Sequence, residues 1–596
     1  MDETARQLER TVQAVLARGE GLHVASPPRE IYLTMAETVT RQASAWQCAH
    51  GMIGDPHNAP GVESVTATAR YCAAVGHLLA AGRCADLLES GARAMQWCLA
   101  QLERSLEAGE SWPCANFNLK DMMVLCAAAR ERLPADRIAA WRARLSGWEP
   151  EQVYHGHANW WFYATAAEAL RIEHGLSERV DWIDATLAGE MPQWSAHGMY
   201  RDPGDPVTYD LTVRQSLAMM LAHGYAGRFA GWARETLRAG ALATLLMVSP
   251  TGVVPFGGRS AQYHMQEAML AYLAEWQARQ EAARGDPRLA GALRRMALAG
   301  AQAASRWLLR APYAVSKHLM ADEPFFGQDG FGAGQNAHSG YGLLAANLFA
   351  GAWHVADETT EPRPMPADIG GYALHLPDAF YRTFATAGGY HIEIDTRGQP
   401  GYDATGLGRI HRAGLPVELA LNMPIDPQPR YAMPLTPAAR RVGFGPGWPV
   451  GEGWRWLAEA ARDDDYEVRV TTDEGADAVT VEVEYGGDIG APQALVRENY
   501  HLSREGLGYE AHVPGAHRLR LQVPAIETDG EATSAIEVDA SGLRVSYRGH
   551  AYTVGLERPA ARAFVEDRRA PNRNGIYHIA VFEAEGEHVG CRIEPR

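Results

Sequence analysis

The chain has 596 residues, 46% hydrophobic and 21% charged, a make-up that excludes a disordered chain, a collagen or a coiled-coil rod. Its 55 Lys and Arg against 72 Asp and Glu give a net charge of −17, so neither nucleic acid nor an anionic membrane is an expected partner. Tyr (23) and Trp (16) far outnumber Phe (13), and rings with a polar handle suit stacking on sugars as well as core packing. No apolar run approaches the roughly 18 residues of a spanning helix. The opening Met1–Arg6 does not read as a secretory signal, and the seven cysteines form no CxxC pair. Reduced thiols and a cytoplasmic location are therefore expected.

From Ile31 onward, apolar residues recur at three- and four-residue spacing. The helical pattern covers Ile31–His50, Val62–Ala81, Ala85–Leu106, Leu119–Arg132, Arg137–Leu145, Asn159–His174 and Trp182–Glu190. It resumes over Val207–Ala222, Phe229–Met247, Ala261–Gln280, Pro287–Leu309 and Ala337–Ala356. Short Gly-bearing links such as Ala81-Gly82-Arg83 and His223-Gly224-Tyr225 force antiparallel neighbours. A dozen such helices without a repeat signature predict an α/α toroid, incomplete or of six hairpins, over residues 1–362.

A polar, Pro-bearing linker at Glu358–Pro364 ends this part. From Tyr372 the period becomes two, as in Phe380–Ala385, Tyr466–Val470, Val479–Glu484, Arg518–Val523 and Leu543–Tyr547. Residues 363–596 are thus expected to form an antiparallel β-sandwich. The fold class is α+β, toroid first and sandwich second.

Four polar and aromatic clusters fall beside helix starts. The first, Tyr154–Trp161, carries the His155/His157 pair, but no third ligand is in view and no metal is expected. Adjacent Trp160 and Trp161 cannot share one core face, so one of them is expected to face a cavity. The second, Gly198–Asp210, packs Tyr200, Arg201, Asp202, Asp205 and Asp210 around two prolines. Asp205 is also well placed to cap a helix with Pro206 at its first position.

In the third, Val254–Glu267, Gly257-Gly258 lets backbone approach a ligand, and Arg259 has the fork to hold a carboxylate. His264 and Glu267, three apart, share one helix face. A Glu among Ala268, Leu270 and Ala271 is expected to have a raised pKa and to suit general-acid work. The fourth, Gln335–Tyr341, adds His338 and Tyr341.

A helical toroid followed by a β-sandwich resembles the heparinase II/III-like carbohydrate enzymes. The loops Tyr200–Pro206 and Gly257–Ser260 resemble a branch that includes glucuronide-cleaving hydrolases. The lyases of this group usually open the sandwich with an HxHxDxxS strand. The nearest segment here, Gln399–Leu407, keeps Asp403 but no histidine.

The expectation is therefore a glycoside hydrolase of β-glucuronidase type, exo-acting on uronic-acid oligosaccharides or glucuronides and needing no cofactor. Hydrolysis takes two carboxylates; Glu267 is the expected acid and Asp205 or Asp210 its partner. Arg201, Arg259 and His264 would read the substrate carboxylate, Trp160 or Trp161 would stack on the ring, and a homo-oligomer is compatible with the sequence. The alternative is a lyase of the same architecture, with Tyr200 as base or acid, Asn159 neutralising the uronate, and His338 close by.

Overall fold

The computed structural model describes residues 3–55, 64–110, 112, 115–204, 206–261, 263–310, 316–319, 337–423, 438 and 440–595, with the side chains of 337 and 338 left aside. Six helices form an inner ring: Val65–Ala80, Ala115–Ala129, Asn159–Glu173, Tyr209–Ala222, Met265–Ala283 and Gly342–Val355. Each touches the next in chain order, and the last returns to the first, so the ring closes. The helices Glu30–Ser44, Leu88–Ala108, Ala135–Ser146, Val180–Glu190, Ala230–Met247 and Pro287–Leu308 alternate with them in the chain. The sequence logic is direct. An inner helix is walled by neighbours and buries most of its length, as Leu211–Leu221 does, whereas Ala135–Ser146 buries only Ile138, Trp141 and Leu145.

The helix Glu3–Arg18, which the sequence reading passed over, buries Ala5, Leu8, Val12, Val15 and Leu16 and touches Ala230–Met247. Among the described residues no helix is long and apolar enough to cross a membrane.

The second half holds three main antiparallel sheets. An eight-stranded sheet includes Ala478–Gly487, Leu495–Ser503 and Gly506–His512, where buried and open positions alternate. A five-stranded sheet is centred on Arg518–Thr528, and both sheets contribute to one core. The four-stranded sheet Tyr372–Leu376, Arg382–Ala387, Tyr390–Asp395 and Gly406–Arg412 is different. It contacts helix Ala230–Met247 on the toroid side and strands of the eight-stranded sheet on the other. Buried on both faces, it does not alternate by polarity: Arg382, His391, Glu393, Asp395 and Arg409 are all inside.

Candidate active site

Because each inner helix is reached through an outer one, all six start at the same mouth of the toroid. Contacts between their first turns show it. Asn116 Nδ2 donates to Trp160 O at 3.0 Å, Arg70 donates to Gly340 O at 2.9 Å, and Tyr263 stacks on Tyr341 at 4.3 Å. A single π-turn, Ala337–Tyr341, precedes the last inner helix.

At this mouth four polar side chains form a row. Asn159, the first residue of its helix, donates through Nδ2 to Asp202 Oδ1 at 2.8 Å. Arg259 Nη2 donates to the other oxygen, Asp202 Oδ2, at 2.6 Å. The Arg259 guanidinium lies 3.9 Å from the ring centre of Tyr209, which opens the next inner helix. Asn159 and Asp202 are buried, while Tyr209 and Arg259 are half-buried. Burial pushes the Asp202 carboxyl up, and Asn159 and Arg259 oppose it. Burial works against the Arg259 charge, yet Tyr209 and Asp202 beside it leave its pKa raised, so the guanidinium stays protonated.

Aromatic groups flank the row. Trp160 meets Phe117 edge-on at 5.4 Å and stacks on His157 at 5.8 Å. Its neighbour Trp161 turns away and packs against Trp182 at 6.5 Å. The turn before them is tight: Ala158 has φ 50°, and a Cβ on Gly156 would sit 2.5 Å from the Trp160 ring. Tyr402, from the sandwich, completes the rim, close enough to Arg259 to influence its charge.

The other expected site residues lie elsewhere. Tyr200 is buried between Phe162 and Trp194, its hydroxyl donating to Glu190 Oε2 at 2.6 Å; burial, then Glu190, push its pKa well up. Asp210 is fully buried, receiving Arg214 Nε at 2.8 Å and the Tyr200 N–H at 2.7 Å. His264 is buried against Trp307 at 4.7 Å with Nε2 on Ser316 O at 3.1 Å, and burial holds its pKa down. Arg201 is half-buried, with its backbone N–H on Gln193 O. Asp205 and the side chain of His338 lie outside the described residues.

Glu267 is sealed from solvent. Lys317 Nζ sits 2.7 Å from Oε1, and the Val254 N–H donates to the same oxygen at 3.2 Å. Burial alone would raise this carboxyl, but Lys317 and His264 outweigh it and hold it down at about 2. The apolar neighbours in sequence gave the opposite expectation because the cation arrives from a segment fifty residues on.

At the opposite mouth, the helix ends enclose a cavity of about 710 Å³ lined by His77, Glu173, His223, Tyr272, Trp276 and His354 among others. Several of its polar groups are paired internally: Glu173 with His223 at 2.7 Å, and His354 with His77 O at 2.9 Å. None of the expected site residues lines it.

No family model matches the sequence, and no curated protein matches it. Solved structures do. A chondroitin AC lyase from Streptomyces coelicolor A3 aligns at TM-score 0.50 with 13% identity, over 100% of this chain and 83% of its own. The chain has the fold of that chondroitin AC lyase. Two further solved structures are less similar. A chondroitinase AC lyase studied with oligosaccharides has TM-score 0.44, 10% identity, and coverage of 99% and 82%. A heparinase III has TM-score 0.46, 9% identity, and coverage of 100% and 91%.

These findings correct the expectation of a β-glucuronidase-type glycoside hydrolase. The solved structure that shares the fold at TM-score 0.50 is a chondroitin AC lyase. The acid assigned to Glu267 is an ionised carboxylate locked to Lys317, and Asp210 is locked to Arg214. The first is not available as a protonated acid, and the second, expected as its partner, is fully buried out of a substrate's reach.

Proposed function

We propose that the protein is a lyase that cleaves uronic-acid-containing oligosaccharides by β-elimination at the mouth where the inner helices begin. The observation that carries this reading is the half-buried Tyr209 ring against the Arg259 guanidinium at 3.9 Å, in line with Asp202 and Asn159. Elimination needs the substrate carboxylate neutralised so that the C5 proton becomes acidic, a base for that proton, and an acid for the oxygen leaving C4. Arg259 has five N–H donors and Asn159 two; Asp202 orients both, and the donors it leaves over meet the uronate.

Tyr209 is the base that takes the C5 proton, and the phenol so formed returns that proton to the oxygen leaving C4. Electrons from the C5–H bond become the C4–C5 double bond as the C4–O bond breaks. Trp160 supplies a platform for the neighbouring sugar ring. The lyase alternative drawn from sequence placed Tyr200 in this role. Tyr209 replaces it because the buried Tyr200 ring spends its hydroxyl on the half-buried Glu190. The chondroitin AC lyase that shares the fold supports the same reading.

The test is product analysis on an oligouronate. Elimination gives a C4–C5 unsaturated sugar that absorbs in the ultraviolet and takes no oxygen from water. A saturated product carrying water oxygen overturns the proposal.

A further inference from the structure

The segment Val253–Gly258, between helices Ala230–Met247 and Met265–Ala283, runs against the sandwich just before Arg259. Its alternate N–H groups each end on a different buried carboxylate: Val254 on Glu267 Oε1 at 3.2 Å, Phe256 on Glu393 Oε2 at 2.7 Å, Gly258 on Asp403 Oδ2 at 3.0 Å. One carboxylate belongs to an inner helix and two to the sandwich. Of the residues between, Pro255 has no N–H to satisfy. Gly257 has φ 95°, and a Cβ there would lie 2.4 Å from Asp403 Oδ1 and 2.5 Å from Arg382 Nη2, so only glycine fits.

Behind the carboxylates stand cations. Lys317 meets Glu267 at 2.7 Å, Arg409 meets Glu393 at 3.1 Å, and Arg382 meets Asp395 at 2.7 Å and Asp403 at 2.9 Å. Arg573 adds a link between the two domains: its Nη2 donates to Gly258 O at 2.8 Å and to Tyr402 O at 2.9 Å. One guanidinium thus ties the backbone just before Arg259 to the sandwich turn that carries Tyr402.

We infer that this three-carboxylate strap, pinned by Arg573, is a positioning device that sets Arg259 opposite Tyr402, and that Tyr402 is a substrate-binding residue contributed by the sandwich. Glu267, Glu393 and Asp403 act through Arg259 and do not touch substrate. Tyr402 is half-buried at the rim, its Cε2 3.9 Å from where a Cβ on Gly204 would stand, so its ring borders the loop that carries Asp202. A sugar ring held by its carboxylate on Arg259 lies against it. The inference rests on the lyase reading for its substrate, not for its geometry.

The test uses the full chain and two variants, Asp403→Asn and Tyr402→Ala. Amide exchange across 252–261 reads the strap, and KM and kcat on a uronic acid tetrasaccharide read the site. Asp403→Asn is expected to speed exchange there roughly tenfold or more while 265–283 stays protected, and to lower kcat. Tyr402→Ala is expected to leave exchange unchanged and to raise KM roughly tenfold, with kcat within about threefold.

Unchanged exchange in Asp403→Asn overturns the strap, and so does faster exchange with kcat and KM both unaltered. An unchanged KM in Tyr402→Ala overturns its binding role. Should Asp403→Asn not fold, Arg573→Lys, which keeps the charge, is read the same way. If the wild type releases no unsaturated product, the lyase reading fails by itself. Exchange still decides the strap, and calorimetric affinity for the tetrasaccharide replaces KM.

Discussion

The toroid mouth and the toroid–sandwich interface lie a few residues apart in the chain, and both are rich in charge, yet they use it in opposite ways. At the interface Glu267, Glu393, Asp395 and Asp403 face Lys317, Arg382, Arg409 and Arg573, all nearly or fully buried. Their partners are other interior groups or strap amides. At the mouth one carboxylate, Asp202, serves Asn159 and Arg259, and Tyr209 and Arg259 stay half-open. The difference teaches where chemistry can sit. A charge whose donors and acceptors are consumed inside the fold shapes backbone; a charge with donors left over can meet a ligand.

The largest effect expected at the mouth is on turnover. Arg259→Ala is expected to lower kcat/KM on an oligouronate, compared at equal folded fraction, by about 10²–10⁴-fold or more. A loss under tenfold, measured by ultraviolet product formation, would break the comparison from that side.

The interface variant should behave in reverse. Glu393→Ala strands Arg409 and the Phe256 N–H inside the protein, and removing one partner of a buried pair costs about 3–5 kcal/mol. Urea unfolding checks this. A cost below about 1 kcal/mol would mean that the interface charges do not hold the domains together.

A smaller effect is expected at a buried charge that has no cation. Glu498, inside the sandwich, accepts from Tyr509 at 2.6 Å and Tyr485 at 3.1 Å. Burial raises its carboxyl from 4.5 to about 7, against the hydrogen bonds of the tyrosines. The folded pKa is the higher one, so the protonated form contributes stability that is full below about 4.5 and lost as pH rises towards 7. Glu498→Gln cannot ionise. Its melting temperature should therefore gain on wild type across that window and then run parallel; a gap that does not change with pH would contradict this.

Much of the fold was legible in the sequence, since helical spacing gave the twelve toroid helices and alternation gave the outer strands. Two elements were not. Glu3–Arg18 carries Leu8, Val12, Val15 and Leu16 at helical spacing, but its charged opening masked that stripe. Of the four-stranded interface sheet only the strand near Phe380–Ala385 was read; the rest alternates poorly because Glu393, Asp395 and Arg409 are buried with their partners. In the site, Asn159, Trp160 and Arg259 could be picked out as polar or aromatic groups beside helix starts. Glu267 misled because its cation, Lys317, is remote in sequence. Tyr209, the base of the proposed elimination, was not singled out although it opens an inner helix as Asn159 does, and that shared first position was the available signal.

The sharpest single measurement sets two tyrosines side by side, Tyr209→Phe and Tyr200→Phe, each removing one hydroxyl from the same loop-and-helix unit. Initial rates of ultraviolet-absorbing product from a uronic acid tetrasaccharide are compared at equal folded fraction. Tyr209→Phe should lose about 10²–10⁴-fold, while Tyr200→Phe, whose hydroxyl donates to the half-buried Glu190, should stay within a few-fold of wild type. Full activity in Tyr209→Phe, or a loss of that size in Tyr200→Phe, would contradict the placement of the chemistry at the Tyr209–Arg259 mouth.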